Sequence, residues 1–194
     1  MGLSQTTAPS TTPITTAEAK THCRITIATA EDTYVDTLIE AATDYVEDVT
    51  GLQLVTATWT WTLDTFPNSD TLVAPVNPMA SVTSIKYLDS DGVQQTWSSG
   101  SYDQDTTSMP GRIALAFGES WPTIRGGEID SVEVIFTAGY GAASVVPEHL
   151  RHAIKLLVGH WYVNREQVVV GTITANIPHA VENLLNQKSL NWVA

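Results

Sequence analysis

Hydrophobic positions follow a helical spacing at both ends of the chain. Apolar residues recur at steps of three and four over residues 30–50 and 147–165, as on a helix with one buried face. A shorter helix is predicted to start at the capping box formed by Thr15 and Glu18, and another after Pro178. Two N-terminal helices and two C-terminal helices, one long and one short, are therefore expected.

Between these helices the period changes to two. Residues 55–63 place apolar side chains at odd positions and threonine at even positions, which is typical of a half-buried strand. Further strands, separated by Gly and Pro, are predicted at 71–74, 82–88, 93–97, 112–117 and 131–137. The fold class expected from this order is α+β, with an antiparallel β unit inserted into a helical frame.

The same patterns divide the 194 residues into three parts. Residues 1–13 consist mainly of Thr, Ser, Pro and Gln, and they offer too little apolar surface to offset the entropy of ordering. We expect them to form a mobile arm. Residues 14–52 and 146–194 are expected to form the helical frame, and residues 53–145 the inserted β unit.

The charge balance and the cysteine content of the chain argue against several classes of protein. The chain has 21 acidic and 9 basic residues, a net charge of −12. This balance opposes binding to nucleic-acid phosphates and binding to an anionic membrane surface. The single cysteine, Cys23, excludes an internal disulfide, and no apolar run is long enough to predict a membrane-spanning helix.

Signatures of catalysis are nearly absent from the sequence. It has neither a glycine-rich phosphate loop nor a Gly-x-Ser-x-Gly motif. His149 and His152 lie one helical turn apart, but the sequence supplies no third metal ligand at a recognisable spacing. We therefore predict no catalytic residue, no metal and no cofactor.

One charge pattern stands out on the second predicted helix. Acidic residues recur there every four positions: Asp32, Asp36, Glu40, Asp44 and Asp48. Like charges at this spacing destabilise a helix. The stripe is either a solvated face, a contact with bases of a neighbouring subunit, or the lining of a channel through which DNA slides. The candidate interface bases are Arg151, Lys155 and Arg165.

The C-terminal region carries apolar residues outside any long helix. They are Val168, Val169, Val170, Ile173, Leu190 and Trp192. Apolar side chains near a terminus, with little chain left to cover them, indicate a docking element. The alternative is a tail folded onto its own helices.

Five segments together resemble the head–tail connector proteins of long-tailed bacteriophages, also called adaptor or head-completion proteins. The segments are Ile14–Ile25, Tyr45–Gly51, Pro78–Tyr87, Ala138–Gly141 and His160–Glu166. The likeness extends over about residues 14–190, nearly the whole chain.

The resemblance implies a non-enzymatic virion protein, made in the host cytoplasm, that needs no cofactor and contacts no membrane. Such proteins form a ring, usually of twelve subunits, that lies under the portal vertex in the neck. The ring extends the DNA channel without binding DNA specifically, and it docks a stopper or tail-completion protein. In this chain the portal contact would fall in residues 167–194. The alternative is a β-rich carbohydrate- or receptor-binding module of a tail, suggested by the Trp and Thr content.

Overall fold

The computed structural model describes residues 1–26, 29–165 and 179–186. Within this part the chain contains four α-helices and two antiparallel sheets, so the predicted α+β class is confirmed. The chain divides into two compact units, which we call the helical unit and the β unit.

The helical unit is formed by the described parts of residues 11–55 and 141–194. Its helices are α1 (Thr16–Cys23), α2 (Asp32–Thr50), α3 (Glu148–Val163) and α4 (His179–Asn186). The long helices α2 and α3 pack against each other, and both α1 and α4 contact this pair.

The apolar stripes on the two long helices form the core of this unit. The buried residues are Val35, Ile39, Ala42 and Val46 on α2, and Leu150, Ala153, Ile154, Leu157 and Val158 on α3. The capping box of Thr15 and Glu18 starts α1, as the sequence predicts. Helix α2 ends at Gly51, whose φ of 67° is the left-handed conformation that glycine adopts without strain.

The β unit is formed by residues 1–10 and 56–140. Its strands are β1 (Gly2–Thr7), β2 (Ala57–Leu63), β3 (Thr71–Val73), β4 (Met79–Leu88), β5 (Gln94–Thr96), β6 (Tyr102–Asp105), β7 (Arg112–Leu115) and β8 (Val132–Ala138). One sheet has the order β1-β2-β8-β4-β5, and the other has the order β3-β7-β6.

Period-two alternation places the core of the β unit on one face of the larger sheet. Val134 of β8 lies opposite Trp61 of β2 and Ile85 of β4. All three residues are buried, and so is Phe136 two positions along β8. Cross-strand pairs of β-branched and aromatic residues are the contacts that hold such sheets together.

The N-terminal residues differ from the predicted mobile arm over residues 1–13. Gly2–Thr7 forms strand β1, which pairs antiparallel with β2. The prediction considered only apolar burial, whereas β1 is held by its backbone ladder and by side-chain contacts such as Thr6 Oγ1 to Thr60 Oγ1 at 2.6 Å. Pro13 is also buried, together with Ile14.

Candidate assembly surfaces

Arg151 connects α1 to α3 within the helical unit through ion pairs and a hydrogen bond. Its Nη2 contacts Glu18 Oε1 at 2.5 Å, its Nη1 contacts Glu148 Oε2 at 2.8 Å, and its Nε donates to the carbonyl of Pro13 at 3.0 Å. Only 17% of the side chain is exposed. Lys155 extends the cluster, with Nζ at 3.5 Å from Glu148 and 3.9 Å from Glu18.

Glu18 is an acid that both Arg151 and Lys155 contact. The backbone N–H of Thr15 holds the pKa of Glu18 below its ordinary value, and the Thr15 hydroxyl and the charges of Arg151 and Lys155 act in the same direction. Two of the three predicted interface bases therefore have acidic partners inside their own chain. The sequence did not reveal this pairing because Glu18 and Arg151 lie 133 positions apart.

Arg165, the third predicted interface base, is also engaged within the helical unit. Its guanidinium lies over the ring of Tyr34 at 4.6 Å and over the ring of Tyr162 at 5.0 Å. Its Nη2 donates to Glu31 Oε1 at 2.7 Å, while the Tyr162 hydroxyl donates to Glu31 Oε2. Hydrogen bonds from Tyr162 and Arg165 lower the pKa of Glu31. The cluster joins the start of α2 to the end of α3.

Contacts with α1 divide the acidic stripe of α2 into two groups. Asp32 forms an ion pair with Lys20 at 2.5 Å, and Asp36 accepts a hydrogen bond from the Thr16 hydroxyl at 2.5 Å. The other three acids, Glu40, Asp44 and Asp48, are exposed and have no hydrogen bond or ion pair with any described residue. We call these three residues the exposed acidic face.

Glu47 is a fourth acid at this end of α2, and the sequence analysis did not single it out. Its Oε1 accepts hydrogen bonds from Gln53 Nε2 and from the backbone N–H of Leu54, both at 2.8 Å. Burial raises the pKa of Glu47 to about 7, and the neighbouring charges of Asp44 and Asp48 add to this effect. Helical spacing does not reveal these contacts, because both partners, Gln53 and Leu54, follow the end of α2.

The predicted docking residues cannot be placed in the fold. Val168, Val169, Val170, Ile173, Leu190 and Trp192 lie outside the described residues. They remain a prediction from the sequence.

Two tryptophans of the β unit are buried in its core, and the other two, Trp59 and Trp121, are partly buried and pack against that core. Trp61 is 5% exposed and Trp97 is 9% exposed. Trp121 stacks on Phe66 with ring centroids 4.9 Å apart, and its Nε1 donates to the carbonyl of Ser69 at 2.8 Å. This arrangement gives no support to the carbohydrate-binding alternative.

The residues that the structure describes contain no group of three or more His, Cys, Asp or Glu side chains positioned to hold a metal ion. No helix among them combines the length and apolarity needed to cross a bilayer.

Comparison with known structures gives near-complete matches. A chain of the "Neck of empty GTA particle computed with C6 symmetry" matches at 27% identity with a TM-score of 0.79, covering 96% of this chain and 94% of that chain. A chain of the "Virion of native gene transfer agent (GTA) particle" matches at 27% identity with a TM-score of 0.78, covering 97% and 95%.

A third match is to a chain of the "Neck of native GTA particle computed with C12 symmetry". It has 26% identity and a TM-score of 0.70, and it covers 96% of this chain and 94% of that chain. No curated protein matches the sequence.

The family comparison agrees with the resemblance carried by the five sequence segments. The model of the family described as "Head completion protein" matches residues 13–187, which is most of both the helical unit and the β unit. The chain therefore belongs to the head completion protein family.

Proposed function

We propose that this protein is a structural connector in the neck of a phage or phage-like particle, where it joins the head to the tail and performs no chemistry. The observation that carries this proposal is the near-full-length match to chains from gene transfer agent necks, together with membership of the head completion family. Such a protein functions through the surfaces by which it contacts its neighbours in the particle.

In the proposed neck the subunits form a ring under the portal vertex, most simply of twelve copies. The C12 symmetry of one matched neck supports copies arranged around a common axis. The ring would continue the DNA channel from the portal and present its far side to a stopper or tail-completion protein. Residues 167–194 are proposed to reach the portal through their apolar side chains, which include Val168, Ile173 and Trp192.

The exposed acidic face is proposed to line the channel of this ring. The sequence left open whether the acids meet bases of a neighbouring subunit. Arg151, Lys155 and Arg165 already have acidic partners within their own chain, so the structure offers no free base among these three. Acids that face the channel would repel DNA phosphates within a Debye length of about 8 Å, and DNA could then slide without binding.

Deletion of the gene tests the connector role directly. We expect filled heads and free tails to accumulate, and normal particles to return when the wild-type gene is supplied in trans. Cryo-electron microscopy of the complemented particles should place the chain in the neck. Tailed, infectious particles formed without the gene would overturn the proposal.

Charge reversal tests the channel assignment separately. Replacing Glu40, Asp44 and Asp48 by Lys should leave tailed particles intact but slow DNA delivery at least tenfold, because phosphates would then bind the channel wall. Asp70, Asp103 and Glu119 are exposed acids of the β unit, and their replacement by Lys gives a control with the same change in net charge. An equal effect of both triple variants would contradict the channel assignment.

A further inference from the structure

The five-stranded sheet ends in two edges that have no further strand partner among the described residues. Strand β1 forms one edge and strand β5 the other. An edge strand presents backbone N–H and C=O groups that can pair with a strand of another chain. Proteins usually block such pairing with charged residues, proline or a covering element.

Both edges lack charged residues and proline. Strand β1 has the sequence GLSQTT with five of its six residues exposed, and β5 has the sequence QQT with all three exposed. A register shift between Gln5 and Thr7 is the only irregularity in the pairing of β1 with β2. Each edge also has an exposed apolar side chain, Leu3 at 43% and Val93 at 55%.

Charge makes these edges suitable for contact between identical subunits. Each copy carries a net charge of −12, so most pairs of surfaces on two copies repel each other. Residues 2–17 and 92–102, which include the two edge strands, contain no charged side chain. Contact through these segments would therefore add no close pair of like-charged side chains.

The direction of the strands fits a ring. All four neighbouring pairs in the sheet are antiparallel, so β1 and β5, at opposite ends of five strands, run in the same direction. Subunits related by rotation around a ring contact each other through two different surfaces. A sheet that continues from one such copy to the next brings β1 of one copy parallel to β5 of its neighbour.

We propose that neighbouring subunits join by parallel pairing of β1 in one copy with β5 in the next, which makes the sheets continuous around the ring. The inference rests on the proposed connector function and adds the surface through which copies meet. Backbone hydrogen bonds would supply the contact, and Leu3 and Val93 would cover apolar surface at the joint.

Cysteine cross-linking in assembled necks tests the proposal. In a Cys23→Ser background, Leu3→Cys or Ser4→Cys is combined with Gln94→Cys or Gln95→Cys, because these four pairs cover both faces of the sheet. Paired strands lie about 5 Å apart, within the Cα separation of roughly 4.4–6.8 Å that a disulfide requires. Oxidation of purified necks should convert at least one pair into a ladder of covalent multimers.

The controls separate the possible outcomes. Each single-cysteine variant should remain monomeric on a denaturing gel, and dimers formed by Ser4→Cys alone would indicate two-fold pairing of β1 with β1 and overturn the proposal. Necks that contain the chain but give no ladder with any pair would overturn the edge pairing and leave the connector function standing. Absence of the chain from the neck would overturn both.

A charge placed on the edge provides an independent test. Leu3→Lys should reduce incorporation into necks at least tenfold, whereas Ser10→Lys adds the same charge outside β1 and should incorporate normally. Both variants should unfold at the wild-type temperature, since both positions are exposed. Normal incorporation of Leu3→Lys would count against the proposed joint.

Discussion

The acids of α2 that recur every four residues form two groups with different contacts, which we call the structural half and the exposed half of the acidic stripe. In the structural half, Asp32 pairs with Lys20 and Asp36 accepts a hydrogen bond from Thr16. The exposed half is the exposed acidic face of Glu40, Asp44 and Asp48, which has no partner among the described residues. The spacing therefore defines a face of the helix, while contacts with α1 determine which part of that face is structural.

Asp48, in the last turn of α2, also lies where a helix tolerates an acid poorly. The C-terminal end of a helix carries a partial negative charge, which disfavours acidic side chains there. The last turn of α2 contains no basic residue to compensate. An acid at a destabilising position does not contribute to the stability of its own helix, which is consistent with the proposed channel lining.

The largest expected effect comes from the Arg151 cluster, which joins α3 to α1, the helix that supplies the partners of Asp32 and Asp36. Arg151→Met should lower the free energy of unfolding by about 2–3 kcal/mol, because Glu18 loses its closest cation and the carbonyl of Pro13 loses its donor. Urea denaturation would measure the change. Arg125→Met removes an exposed ion pair with Glu128 and should cost less than about 1 kcal/mol. Equal losses in both variants would contradict the assigned role of Arg151.

A pH series distinguishes Glu47 from the exposed acids around it. The pKa of this carboxyl is about 7 in the folded chain against 4.5 as the ordinary value, so the folded state retains a proton that the unfolded state releases between these values. This contribution to stability is complete below pH 4.5 and is lost as pH rises through about 7.

Glu47→Gln should remove that dependence. Between pH 5 and pH 8, the free energy of unfolding of the variant should rise by about 1–2 kcal/mol relative to that of wild type. This is less than the full pKa shift would give, because the carboxyl is only partly buried and solvent screens its charge. Urea denaturation at both pH values measures the gain, and Glu40→Gln, which removes an exposed acid that does not act on Glu47, serves as a control whose stability should follow the wild-type slope. Parallel curves for Glu47→Gln and wild type would show that Glu47 ionises normally.

Asp32→Asn addresses the structural half of the stripe itself. Lys20 is only 14% exposed, so loss of its acidic partner should lower the free energy of unfolding by about 1 kcal/mol. Thermal unfolding would detect the loss. Glu40→Gln, a matched loss of one charge from the exposed acidic face, should not destabilise the protein. Destabilisation of both variants to the same degree would remove the distinction between the two halves.

The sequence predicted the elements whose signals are local. The stripe from Val35 to Val46 and the alternation through Trp59 and Trp61 identified α2 and β2 because burial repeats with the period of the element itself. Strand β1 was missed because its stability comes from pairing with β2, about 60 positions away, and not from its own apolar residues.

The candidate site was less predictable for the same physical reason. The acidic repeat and the bases were visible in the sequence, but their partners were not. Glu31 meets Arg165 across 134 positions, and this contact depends on how α2 and α3 pack. Charge spacing therefore indicated which residues matter on the helical unit, and only the tertiary contacts separated the paired acids from the exposed ones.

The smallest expected effect lies in the exposed acidic face. Asp44→Asn should raise the free energy of unfolding by about 0.5 kcal/mol at low salt, because it removes like-charge repulsion from Glu40 and Asp48, each four residues away on the same helix. The gain should disappear in 1 M salt, where the Debye length falls to about 3 Å. Denaturation at both salt concentrations would measure it, and an unchanged gain at high salt would exclude electrostatic repulsion as its cause. Asp44 would then be a charge that destabilises its own helix through unscreened repulsion. Its proposed role therefore lies outside the subunit, where it would repel the phosphates of the DNA.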